Sequence, residues 1–188
     1  MTKRVRQPQP ERWLDRRETI AWVALLALMT ELPAVLDAQL QQDADLTLYE
    51  YLVLSVLSMS PERTRRMTFL AELTSSSVSR LSHVLTRLER RGYIERTRCP
   101  GQPGRATNVT LTANGMAKVS AAAPGHVHKV RTTLVDHLTI AQLDTLADIG
   151  REILPRLGST RFLDTDTPPE IIELLNGPPD HAEPAAQL

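Results

Sequence analysis

Apolar residues recur at every third or fourth position in several segments of the chain, a spacing that predicts helices. The first helix runs from Arg17 to about Gln42 and is apolar on two faces, which indicates packing from two sides. Pro33 should kink or interrupt it. A second helix extends to about Met59, and its start is marked by Thr47 and Glu50 at the spacing of a capping box.

The fourth predicted helix, 76–91, has two contrasting faces, and it follows a charged loop at 61–66 and a short helix at 68–73. Its aliphatic positions, expected to be buried, are Val78, Leu81, Leu85 and Leu88. Its polar positions on the opposite face are Ser76, Arg80, His83 and Arg87. Ser75 is the expected N-terminal cap and Gly92 the stop. Such a helix suits insertion into the major groove of DNA.

Two short β-strands are predicted after this helix, at 93–97 and 108–111. The segment between them, 98–107, holds two prolines and two glycines and is expected to be a flexible hairpin tip rather than a third strand. Helix, turn, helix and hairpin in this order predict a winged helix-turn-helix. The fold class is therefore mainly α with a small β-wing.

The chain returns to helices after the wing, first over 113–137 with a break expected at Pro124-Gly125, and then from a second capping box, Thr139 to Gln142, to about Leu157. Because helices bracket the DNA-reading unit, we expect them to form a dimerisation layer. The expected divisions are a disordered basic N-terminal arm (1–16), a dimerisation helix (17–45), a winged helix-turn-helix DNA-binding domain (46–111), dimerisation helices (112–157) and an acidic proline-rich C-terminal tail (158–188).

Charge is unevenly distributed, although the formal net charge is +0. Between Arg63 and Arg105 there are ten arginines and three acidic residues, a balance of +7, whereas 158–188 holds one arginine and six acidic residues, a balance of −5. A basic middle section indicates a surface that faces phosphates, and solvated helix faces are the alternative.

The single cysteine, Cys99, excludes an internal disulfide framework and fits a reducing compartment. The N-terminus lacks the apolar stretch of a secretory signal, and the apolar run 20–29 is too short for a bilayer, which takes about 20 residues. We therefore expect a soluble cytoplasmic protein. Cys99 lies beside Arg98, which favours the thiolate, so a redox-responsive regulator is one alternative function.

Enzymatic motifs are missing from the sequence: there is no phosphate-binding loop, nucleophile elbow or metal-ligand cluster. His126 and His128 are two residues apart and do not share a helix face, which argues against a metal site. We expect neither catalysis nor a cofactor. The other alternative function is a winged helix that docks a protein partner, but such a module would not need both the polar stripe of the fourth helix and Arg105.

Three runs carry a family resemblance: LTLYEYLVLSVL, MTFLAELTSSSVSRLSHVLTRLERRGYIER and GRATNVTLTANG. They resemble the MarR family of bacterial transcription regulators over roughly 20–157. The resemblance implies an intertwined two-fold homodimer that binds a pseudo-palindromic operator on double-stranded DNA and is released by a small-molecule ligand. A ligand-responsive repressor is the expected function, and repressor against activator stays open. The recognition helix would carry Ser76, Ser77, Ser79, Arg80, His83 and Arg87. Ser75, just before this helix, is a further candidate DNA contact.

The wing departs from the family pattern at one position. Arg105 matches the family's wing arginine, but Pro103 stands where many relatives have an aspartate that helps to hold it. Arg105 would suit the minor groove, where negative potential attracts arginine.

The resemblance also places an effector site between the dimerisation layer and the DNA-binding unit. The candidates for ligand binding are Trp22, Leu26, Met29, Met59 and His126. Adaptable methionines and a tryptophan would suit an aromatic or lipophilic ligand, and core or dimer packing is the alternative for each of these residues.

Overall fold

Helices dominate the computed structural model, which describes residues 12–74, 76–98 and 107–157. Its helices are α1 (Arg16–Ala44), α2 (Leu48–Ser58), α3 (Met67–Leu73), α4 (Val78–Arg90), α5 (Ala113–Thr133) and α6 (Ile140–Ile153). Its strands are β1 (Thr64–Arg66), β2 (Ile94–Arg98) and β3 (Thr107–Leu111). The predicted class, mainly α with a small β-wing, is confirmed.

The chain divides into two compact units, Met1–Ala34 and Val35–Leu188. In the first unit the described part is the start of α1, whose apolar side chains are largely exposed. The second unit contains a hydrophobic core in which Leu54, Leu85 and Val119 are completely buried. Residues 1–11 of the expected arm (1–16) and the whole expected tail (158–188) lie outside the described residues.

Helix α1 is long and apolar enough to span a membrane. The ten-residue apolar run 20–29, taken by itself, predicted the opposite. One 18-residue window has a mean hydropathy of 1.9, and none of it is buried. The expectation based on that short run was wrong about length, because the helix continues well beyond it on both sides. A helix whose apolar faces pack against another protein surface has the same composition.

The two predicted capping boxes are confirmed. Thr47 caps α2 and Thr139 caps α6, each in reciprocal hydrogen bonds with the residue three positions later. The start of α2 has one further acceptor, since the Leu48 N–H donates to Asp37 Oδ1 of α1 at 2.7 Å. Asp37 therefore stabilises one of the N–H groups that a helix start leaves unpaired.

Helix α4 keeps its predicted amphipathic character with two corrections. Its cap is Ser77, whose side chain accepts from the Arg80 N–H at 3.2 Å, and the expected cap, Ser75, lies outside the described residues. The buried stripe is Leu81, Val84, Leu85 and Leu88. Val78 was wrongly expected in it: this valine is the first residue of α4, at the end of the stripe, and is 42% exposed. Gly92 ends the helix at φ +71°, as expected.

The sheet is antiparallel and has three strands in the order β1-β3-β2, so the expected two-stranded wing was incomplete. Strand β1 lies in the segment read as a charged loop, and its Arg65 pairs with Val109 of β3. The three residues of β1 are all polar, and their partner strand comes much later in the chain. Neither an alternating pattern nor a local turn therefore marks this strand in the sequence.

Neither predicted proline break occurs. Helix α1 continues past Pro33, and α5 continues through Pro124 and Gly125 to Thr133. Each proline removes only one backbone hydrogen bond, and the neighbouring turns hold the helix together. The expected helix to His137 ends earlier than predicted, and a short 3-10 turn covers 135–137.

The buried stripe of α4 makes a stability prediction. Leu85→Ala removes a side chain that is 0% exposed and should lower the free energy of unfolding by about 2–5 kcal/mol. Val78→Ala on the same helix is the matched control and should stay within about 0.5 kcal/mol of the native chain. Denaturant unfolding at one fixed protein concentration measures both, and equal losses would contradict this packing.

Candidate nucleic-acid interface

The polar face of α4 is open to solvent. Ser79, Arg80, His83 and Arg87 are exposed, Ser77 is the exposed cap, and Ser76 is half-buried in the turn before it. Residues three, four and seven apart share one side of a helix, so Arg80, His83 and Arg87 form a single row. The two other predicted DNA contacts, Ser75 and Arg105, lie outside the described residues, as does Cys99.

Arg80 does not extend freely from the helix. Its guanidinium lies over the ring of Tyr49 of α2, 5.0 Å from the ring centroid. The Tyr49 hydroxyl in turn hydrogen-bonds Thr74 Oγ1 at 2.9 Å, in the turn between α3 and α4. A cation over an aromatic face is stabilised by about 0.5–1 kcal/mol at an exposed site, so this contact orients Arg80 and still allows it to move to a ligand.

Arg87 is held by a buried carboxylate. Its Nε donates to Glu50 Oε1 at 3.0 Å, and the side chain of Glu50 is 6% exposed whereas that of Arg87 is 56% exposed. The other carboxylate oxygen of Glu50 accepts from the Thr47 N–H at 2.9 Å in the capping box. One acidic side chain therefore joins the start of α2 to the exposed polar side of α4.

Two further arginines near α4 are also paired with acids. Arg91 donates to the carbonyl and the carboxylate of Asp45, both at 2.7 Å. Arg96 donates through Nε to Glu89 Oε2 at 2.9 Å, and these hydrogen bonds lower the pKa of the Glu89 carboxyl. Together with Arg87, these pairs reduce the positive charge available to phosphates below the balance counted in the sequence.

The remaining arginines of the described section differ in their surroundings. Arg63, Arg66, Arg90 and Arg98 are exposed. Arg65 is half-buried, with its guanidinium 5.2 Å from the centroid of the Phe69 ring. Arg65 and Phe69 line a surface groove of about 370 Å³ together with Pro61, Glu62, Thr64, Arg66 and Asn108.

The five predicted ligand-binding residues are divided between the two units. In the first unit, Trp22, Leu26 and Met29 share one face of α1 and are about half exposed. In the second unit, Met59 is the half-buried C-terminal cap of α2. His126 is buried on α5, with its ring centroid 4.5 Å from that of Tyr51. None of the five lines the groove at Arg65.

Among the residues that the structure describes, no three His, Cys, Asp or Glu side chains cluster so that they could hold a metal ion. His126 lies instead among protein atoms, and burial lowers the pKa of its imidazole. Burial likewise raises the pKa of the Tyr51 phenol beside it.

Sequence reasoning did not identify the residues that hold the arginines of α4. Tyr49 and Asp45 gave no signal of their own, and Glu50 was recognised only as half of a capping box. The distances in sequence explain this, because Glu50 and Asp45 contact arginines about 40 residues later. An acid at a capping position followed by a hydrophobic run is a helix-start signal whether or not its second oxygen binds a cation.

Comparisons with known proteins agree with this geometry. The model of the MarR family matches residues 44–102. Sco3205 of Streptomyces coelicolor, a MarR family transcriptional regulator solved in complex with DNA, is 38% identical; the alignment covers 78% of this chain and 91% of that one, with a TM-score of 0.74. AbsC, a MarR family regulator of the same organism, is 34% identical over 78% of this chain and 98% of that one, also with a TM-score of 0.74.

A more distant structure shares the fold. PcaV of Streptomyces coelicolor, a transcriptional regulator solved with its natural ligand, is 20% identical over 77% of this chain and 98% of that one, with a TM-score of 0.62. No curated protein matches the chain significantly.

The buried imidazole predicts a pH dependence of stability. The pKa of His126 is lowered from 6.5 in the folded chain. At a pH between the lowered pKa and 6.5, the imidazole therefore binds a proton in the unfolded chain and not in the folded one. The free energy of unfolding should therefore fall as the pH is lowered through 6.5. His126→Gln should remove this component, and His128→Gln, at an exposed position, should retain it. Urea unfolding between about pH 5 and pH 8 measures the difference, and identical pH profiles for all three chains would contradict it.

Proposed function

This chain belongs to the MarR family of transcriptional regulators, and from this premise we propose that it is a homodimeric repressor that binds a pseudo-palindromic operator and is released by a small molecule. The observation that carries the proposal is the exposed row on α4, in which Arg80, His83 and Arg87 stand opposite a fully buried aliphatic stripe. A regulator of this kind meets its DNA in the cytoplasm.

The proposed DNA contacts divide by chemistry. Arg80 is the proposed base reader, since a guanidinium can donate two hydrogen bonds to O6 and N7 of guanine. The serine side chains near the start of α4 are short donors for phosphate, where the helix dipole also favours negative charge; they are Ser75, Ser76, Ser77 and Ser79. His83 and Arg87 extend the same row, and Arg105 of the wing is proposed for the minor groove.

Dimerisation is proposed from the exposed apolar surfaces at both ends of the chain. In α1, seven large apolar side chains between Ile20 and Met29 are at least 45% exposed. In α6, Ile149 and Ile153 are also exposed, at 50% and 42%. Soluble proteins rarely leave contiguous apolar surface of this extent uncovered, and a second copy would cover both helices. The segments 17–45 and 112–157 are accordingly the proposed dimerisation elements, with 46–111 as the DNA-binding domain.

Release by a small molecule is supported by unpaired polar groups inside the second unit. Among the described residues, Gln39 Oε1 and His126 Nδ1 are buried without a hydrogen-bond partner. They lie on α1 and α5, and α5 approaches α1 closely at Gly125, where a Cβ atom would be 3.2 Å from Gln39 Nε2. Buried polar atoms of this kind are partners for a ligand with its own donors and acceptors. His126 and Met59 are kept as proposed ligand residues, with Trp22, Leu26 and Met29 on α1.

The first experiment measures binding of the purified full chain to DNA from its own promoter region and to random DNA of equal length, by fluorescence anisotropy across a salt series. We expect strong preference for the promoter and affinity that falls steeply with salt, since each phosphate contact contributes about 0.9 to the logarithmic slope. Candidate effectors are then added to the promoter complex. Weak binding without preference would favour the protein-docking alternative.

Arg80→Ala tests the assignment of the base reader in the same assay. The substitution should weaken the binding free energy by about 1–3 kcal/mol for the promoter and by much less for random DNA, because removing a hydrogen-bond donor to a base relaxes sequence preference. Arg90 is an exposed arginine in the last turn of α4, and Arg90→Ala is the matched control. It should weaken binding to both DNAs to a similar extent. Equal losses on both DNAs for Arg80→Ala would exclude base reading.

Leu26→Glu tests the dimer. A carboxylate at this position would be buried without a partner in the proposed interface, which costs several kcal/mol and should shift the protein to monomers. Arg17→Glu introduces an acid at a polar position of the same helix and should leave the dimer intact. Sedimentation velocity measures both variants, and an unchanged dimer for Leu26→Glu would exclude α1 from the interface.

A further inference from the structure

Glu50 does more than cap a helix. Its Oε2 accepts from both the backbone N–H and the hydroxyl of Thr47, at 2.9 and 3.0 Å, while its Oε1 accepts from Arg87 Nε at 3.0 Å. The side chain of Glu50 is 6% exposed. A carboxylate that is buried and bound on both oxygens has little freedom to move, so its position is as well defined as that of the helix it caps.

Arg87 is restrained at one end only. Its guanidinium is planar, and a hydrogen bond at Nε leaves the donors of the two terminal nitrogens unused by Glu50. The side chain is 56% exposed and stands in the row with Arg80 and His83. The contact to Glu50 therefore limits the rotamers of Arg87 and leaves its phosphate-binding edge open to solvent.

Tyr49, the residue before Glu50 in α2, restrains the other arginine of the row, Arg80, in a similar way. Tyr49 lies beneath Arg80, and Glu50 holds Arg87, two helical turns further along α4. The first turn of α2 is thus in contact with two arginines of the exposed row. A long arginine side chain that is already ordered loses less rotamer freedom when it binds an anion.

We propose that Glu50 is a positioning residue for DNA binding, which holds Arg87 in the orientation that meets a DNA phosphate. This inference rests on the proposed function. The negative charge of Glu50 also opposes phosphate binding at Arg87. The orienting effect of Glu50 on Arg87 outweighs this repulsion, so removal of the carboxylate weakens DNA binding.

A double-mutant cycle on the full chain tests the proposal with the promoter fragment. Glu50→Gln keeps an oxygen that can accept from the Thr47 N–H and removes the ion pair. We expect Arg87→Ala and Glu50→Gln each to weaken binding by roughly 3- to 10-fold, and the double variant to be no weaker than Arg87→Ala alone. The salt dependence of Glu50→Gln should become less steep by about 0.9 for each phosphate that Arg87 no longer neutralises, a change that a purely structural role would not produce.

Thr139→Ala is the matched control, because it removes the corresponding capping threonine of α6 and leaves both partners of the ion pair and their hydrogen bonds intact. Its effect should multiply with that of Arg87→Ala, and thermal unfolding of all variants shows whether each is folded. Unchanged or tighter DNA binding by Glu50→Gln, or losses that multiply with Arg87→Ala, would overturn the positioning role alone. Failure of the native chain to prefer its promoter would overturn the proposed function and this inference together.

Discussion

Burial of the aliphatic side of α4 is the constraint on which the exposed polar row of this helix depends. Leu81, Leu85 and Leu88 are 0% exposed, and burying a leucine contributes about 1.5–3 kcal/mol. The ion pair between Arg91 and the exposed Asp45 contributes only about 0–1 kcal/mol. Packing therefore determines which face of α4 points outward, and the polar contacts adjust the side chains on a helix whose orientation is already decided.

Local chemistry made much of this fold predictable. The Thr47 and Thr139 capping boxes, the stripe of α4 and the stop at Gly92 all depend on residues within a few positions of one another. The exposure of Arg80, His83 and Arg87 followed from the same periodicity. What the sequence did not reveal depends on distant partners: β1 has no apolar alternation and pairs only with β3, and the partner of Arg87 lies on another helix. Helices α1 and α5 also continue through prolines that local rules treat as breaks, because each proline removes only one backbone hydrogen bond.

The paired arginines change how the charge of this protein should be understood. A count along the chain gives a strongly basic middle section, but Asp45, Glu50 and Glu89 each bind an arginine of that section. Asp45 and Glu50 lie outside the stretch in which the excess was counted, and only the folded chain brings them to it. The exposed positive charge is accordingly concentrated on fewer side chains. This favours a defined set of phosphate contacts over non-specific electrostatic attraction to an anionic surface.

The hydrogen bond from the Leu48 N–H to Asp37 has a thermodynamic consequence. Asp37 belongs to α1, Leu48 opens α2, and the next two residues of α2 are Tyr49 and Glu50, which contact the arginines of α4. If association of two copies and binding of DNA favour different arrangements of this connection, the two equilibria share a coupling free energy. Such coupling is reciprocal, so DNA would change the affinity between protomers by the same factor by which association changes the affinity for DNA.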